Sequence, residues 1–107
     1  MSLVKISELS EVPGAETGKS IHLEHPWTHI EYDLALFKVE GNYYVLTDKC
    51  YKCGGSLGKG KLQGLFAICS NEECRWNIKK GYCKFDRSCV MSTYKVLEQE
   101  DGLFINI

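Results

Sequence analysis

The segment CYKCGGSLGKGKLQGLFAICSNEEC, Cys50 to Cys74, restricts this chain more than any other. It holds Cys50, Cys53, Cys69 and Cys74, spaced as CxxC, fifteen residues, C, four residues, C. A CxxC turn lets two sulfurs face one point while the intervening backbone N–H groups point back at them. Two such turns from separate loops make a tetrahedral sulfur cage, which suits zinc or iron–sulfur. The gap of four before Cys74 calls for a wider second loop than the usual gap of two. Five of the ten glycines fall in GGSLGKGKLQG, so the thiols are carried on loops rather than on a helix.

Thiols this dense mean disulfides in an exported domain and metal in a reducing compartment. The start, MSLVKISELSEVPG, has no basic stretch followed by an apolar one, so no secretory signal is read there. No apolar run approaches the ~18 residues of a membrane helix. A cytoplasmic, metal-binding protein with no membrane association is the expectation. A chain of 107 residues predicts a single domain over 1–107, with a small core.

Charge separates along the chain. Residues 1–48 carry three Lys and eight acids, whereas residues 49–89 carry nine Lys and Arg against three acids. Nearby cations favour the thiolate form of a cysteine. The lysines are scattered and no aromatic ladder alternates with them, so nucleic acid is not the expected partner.

The apolar pattern is β throughout. LVKI and SIHLE alternate, and His29–Val39 reads as a long strand with Ile30, Tyr32, Leu34 and Leu36 on one side. Phe37 and Val39 read as a shift of register. The turn residues EGN and the run YYVLTD complete a hairpin over residues 30–48. STYKVLEQ and LFINI around EDG make a second, with Asp101-Gly102 at its turn. LFAIC and RWNIKKG are short strands between them. The inventory predicts an all-β domain with a small metal-binding lobe, residues 49–81, inserted in it.

Cys83 and Cys89 are reserve candidates for the fourth ligand; burial as plain thiols is the commoner fate of an isolated cysteine. His22, His25 and His29, in HLEHPWTH, read as a polar hairpin end rather than as metal ligands. No serine elbow, phosphate loop or dinucleotide fingerprint is present. Glu72 and Glu73 are adjacent, which on a strand puts them on opposite sides and not in an acid/base pair. No catalytic residue is assigned.

The order of these segments resembles a Rieske-type ferredoxin over nearly the whole chain. LFKVEGNYYVLTDKC looks like the strand, turn and strand entering the first ligand loop. CYKCGGSLGKG resembles that loop, CSNEECRWNIKKG resembles the second, and YKVLEQEDGLFINI looks like the closing hairpin. The resemblance implies a Rieske-like antiparallel β-sandwich. Rieske centres use two Cys and two His. Laid on that pattern, Cys50 and Cys69 keep the cysteine places, and the histidine places fall on Lys52 and Glu72. An ammonium cannot ligate without losing its proton. Cys53 and Cys74 stand close beyond the lost histidines, so a rebuilt four-cysteine site is expected.

Three readings follow. One is a 2Fe–2S electron carrier, itself not an enzyme, serving a reductase or oxygenase component as its redox partner; that partner is implied by the resemblance alone. Another is a single Zn or single Fe in a closed cage, acting as a structural or interaction module. The last is a cluster-free Rieske-like subunit, as in the small subunits of some nitrite reductases.

Overall fold

A computed structural model describes residues 3–8, 18–50, 54–70, 74–84, 86–99 and 102–106. The described residues form twelve strands: β1 Leu3–Glu8, β2 Gly18–Glu24, β3 Glu31–Val39, β4 Asn42–Thr47, β5 Lys61–Gln63, β6 Phe66–Ile68, β7 Arg75–Asn77, β8 Tyr82–Cys83, β9 Asp86–Val90, β10 Thr93–Tyr94, β11 Val96–Gln99 and β12 Gly102–Asn106. They form three antiparallel sheets, ordered β1-β12-β11, β10-β4-β3-β2 and β5-β6-β7-β8-β9. Among the described residues no helix is long and apolar enough to cross a membrane.

The β3–β4 hairpin forms as its alternation and turn residues require. Its two-residue turn has positive φ at both Glu40 (51°) and Gly41 (81°), the mirror-image turn that matches the twist of paired strands. Pairing runs without a slip from Leu34↔Thr47 to Val39↔Asn42. The expected register shift at Phe37 and Val39 is therefore absent. β3 is instead buried on both faces. Leu34 and Leu36 enter one core with Ile6, Val45, Leu103 and Ile105. Ala35 and Phe37 enter a second core with Leu46, Leu57, Leu62, Trp76, Ile78 and Met91. A central strand with two covered faces reads as a continuous apolar run, which imitates a broken alternation.

The run STYKVLEQ divides at Lys95. β10 pairs with β4, whereas β11 pairs with β12 in another sheet. The closing hairpin is present through Gln99↔Gly102, while Glu100 and Asp101 of its turn lie outside the described residues. The second core is the one that matters for chemistry, because Cys50, Cys69, Cys74 and Cys83 all belong to it.

Candidate metal centre

β4 ends at Thr47 and delivers the chain into the first cysteine loop. The loop is closed by two backbone hydrogen bonds: Cys50 N–H donates to the Gly55 carbonyl and Gly54 N–H to the Cys50 carbonyl, each at 2.8 Å. Asp48 anchors its base. Its carboxylate accepts from Ser20 Oγ at 3.1 Å, Ser56 Oγ at 2.8 Å and Gly58 N–H at 2.7 Å, so β2 and both sides of the loop share one anion. Hydrogen bonds to a charged acceptor are the stronger kind.

The second loop leaves β6 and returns into β7. Cys69 N–H donates to the Cys74 carbonyl at 3.0 Å and closes it. The two loops are then joined to each other. Ser70 N–H donates to the Ser56 carbonyl at 2.9 Å, and Ser56 N–H donates to Ser70 Oγ at 3.0 Å. Gly60 makes the approach possible: a Cβ there would collide with the Ile68 carbonyl oxygen, immediately before Cys69.

Cys50, Cys69 and Cys74 converge. Their three sulfurs lie within 4.8 Å of one another, and the residues are buried, the first two completely. Trp76, fully buried on β7, donates its Nε1–H to Cys50 Sγ at 3.2 Å. Three buried thiols meeting at one point, one of them met by an N–H donor, have the chemistry of a soft-metal site. The donor set fits a thiolate-held group. It does not fit a two-Cys, two-His centre among the described residues, because no histidine joins the triangle. Cys53, Lys52, Glu72 and Glu73 lie outside the described residues.

The remaining candidates sit elsewhere. Cys83 is buried on β8 opposite Trp76, in the same core but outside the triangle. Cys89, half-buried on β9, packs at the edge of that core. The three histidines belong to the β2–β3 hairpin. His25 is buried, and its Nδ1 accepts the Trp27 and Thr28 N–H groups at 3.1 and 3.2 Å, shaping the turn. His29 lies 3.7 Å from Glu24. His22 is exposed, with Nδ1 2.7 Å from Asp33 and Nε2 3.3 Å from Glu31; hydrogen bonds to Asp33 and then Glu31 raise its pKa above the usual imidazole value. Sequence reasoning expected Cys50, Cys53, Cys69 and Cys74 at one site; the structure brings Cys50, Cys69 and Cys74 together. That reasoning missed the Trp76 donor, for which the only signal was an aromatic two residues after Cys74.

No family model matches the sequence, and no curated protein matches it. Solved structures do. The Sphingomonas yanoikuyae B1 ferredoxin aligns with TM-score 0.78 and 19% identity, over 99% of this chain and 99% of that one. A chain in the complex of reduced oxygenase and oxidized ferredoxin in carbazole 1,9a-dioxygenase gives TM-score 0.76 and 18% identity, over 96% of this chain and 91% of that one. The nitrite reductase [NAD(P)H] small subunit from Erwinia carotovora gives TM-score 0.69 and 15% identity, over 100% of this chain and 83% of that one. At these identities the likeness is one of fold, and the fold is all-β and Rieske-like.

Proposed function

We propose that this chain is a small electron-transfer protein, not itself a catalyst, whose metal is held by the thiolates of Cys50, Cys53, Cys69 and Cys74. The observation that carries the reading is the buried triangle of Cys50, Cys69 and Cys74 sulfurs, on a fold shared with ferredoxins. A 2Fe–2S cluster held there would accept and release single electrons. The residues of the chain supply the rest. Two loops tied through Ser56 and Ser70 hold the sulfurs together, and the core around Phe37, Leu57 and Trp76 excludes water. Replacing neutral imidazoles by thiolates adds negative charge, which places the potential below that of a Rieske centre. Exposed Lys49, Lys59, Lys61 and Lys84 on the cysteine-bearing segment suit brief docking on an acidic redox partner, a reductase or oxygenase component.

A second reading has a specific observation behind it. Sulfurs bound to one metal at about 2.3 Å stand about 3.8 Å apart along a tetrahedral edge. Terminal sulfurs on two different irons stand farther apart than that. All three sulfurs here fall within 4.8 Å of one another, which favours a single iron or a single zinc. Zinc would make the site a folding staple without redox chemistry.

The deciding experiment is metal and acid-labile sulfide analysis, with a visible spectrum, on protein purified without oxygen. Two irons with matching sulfide and a colour that bleaches on reduction support the cluster. One iron without sulfide supports a mononuclear carrier. One zinc and no colour overturns electron transfer, and no metal at all overturns both readings.

A further inference from the structure

Trp76 is one of the chain's two tryptophans, and its ring is wholly enclosed. A buried indole N–H left without an acceptor costs stability, so its partner is informative. Here that partner is a sulfur, Cys50 Sγ, at 3.2 Å in the interior. A neutral thiol is a weak acceptor, whereas an anionic sulfur is a strong one. The backbone around the pair leaves little freedom. β7 pairs with β6 through Ala67↔Trp76 and with β8 through Trp76↔Cys83, so the backbone of Trp76 is held from both sides. Cys50 is fixed in turn by the closed loop it begins.

We infer that the Trp76 indole N–H is a built-in donor to the metal-bound Cys50 thiolate, and that it sets the reduction potential of any iron held there. The inference rests on the thiolate-metal reading above. Hydrogen bonds to ligand sulfurs withdraw electron density and favour the reduced, more negative state. The donor therefore raises the potential, partly offsetting the lowering that an all-thiolate ligand set brings. Trp76 is a positioning residue in this account: it touches a ligand, not the reacting metal.

The test uses the full chain carrying Trp27→Phe, which removes the exposed tryptophan and leaves Trp76 as the sole indole. The protein is loaded with a spin-half cadmium isotope and examined by proton–cadmium correlation spectroscopy. Scalar coupling between cadmium and the indole N–H proton, passed through the N–H···S bond, is the expected result. Cadmium uptake without that coupling overturns the inference and leaves the metal site standing. No cadmium uptake overturns both.

The iron form gives a second readout. Trp76→Phe is expected to lower the midpoint potential, changing the reduced-to-oxidised ratio at fixed potential about fivefold, as loss of one hydrogen bond implies. Trp27→Phe is expected to leave it unchanged. Should Trp76→Phe fail to fold, ring-fluorinated tryptophan in the Trp27→Phe background provides a stronger N–H donor at the same place. A raised potential is then expected, and an unchanged one overturns the inference.

Discussion

At the scale of single residues, the thiols differ in surroundings more than in spacing. Cys74 stands in the triangle, and Cys89 stands at the edge of the core on another strand. Cys74→Ser should lose nearly all bound metal, whereas Cys89→Ser should keep it; metal content per chain after gel filtration checks both. Full metal in Cys74→Ser would point to Cys83 as the missing ligand. His22 is a separate matter of charge. Asp33 and Glu31 raise its pKa, so the imidazolium is favoured in the folded protein. The stability it contributes is fully present below the unfolded value of 6.5 and is lost as pH rises through the raised folded value. His22→Gln should therefore be less stable than the wild type near about pH 6 and equal to it near about pH 8.5 in urea unfolding. A difference of the same size at both pH values would count against this ion pair. Spacing and resemblance pointed to Cys50, Cys53, Cys69 and Cys74; of these, Cys50, Cys69 and Cys74 meet among the described residues, and Cys53 lies outside them. The tryptophan's polar edge was not legible, because a sequence pattern registers an aromatic as bulk and says nothing of where its N–H points.

At the scale of elements, the two cysteine loops behave as one object. Their backbones exchange hydrogen bonds through Ser56 and Ser70, and Gly60 lets the first pass against the end of β6. Gly60→Ala forces a methyl group onto the Ile68 carbonyl and should cost about 1–3 kcal/mol, with reduced metal occupancy. Thermal unfolding together with metal analysis checks it; wild-type behaviour in both would mean that the loops have slack. The hairpins were readable in advance because alternation and turn residues are local signals. β8 was not, nor was the division of STYKVLEQ into β10 and β11, since strands of two residues carry no period. The double burial of β3 was misread for a physical reason: alternation marks a strand with one wet face, and residues 34–37 of this strand have none.

At the scale of the molecule, the two cores divide the work. One contains the sulfur triangle, and the other, built from β1, β3, β4 and β12, contains no cysteine among the described residues. Removing the metal by chelation should therefore act unevenly. Amide exchange should quicken around Cys50, Cys69 and Cys74 and along β5 to β8. Protection in β1 and β12 should survive. Uniform loss of protection would show that the cores melt together. The charge asymmetry seen in the sequence has a place here too, since the exposed lysines of residues 49–84 belong to the segment that builds the cysteine-containing core.

β3, which like β4 contributes to both cores, has a further consequence. Tyr32, Leu34 and Leu36 face one core, and Ala35, Phe37 and Val39 face the other. Removing one residue from the middle of β3 would hand each core the other's side chains, placing Ala35 where Leu34 or Leu36 had been. Removing two would preserve the assignment of faces. Over evolutionary time, tolerated length changes within β3 should therefore come in even numbers, while the turn at Glu40 and Gly41 is under no such parity rule. The strand counts in pairs because it is read from both sides.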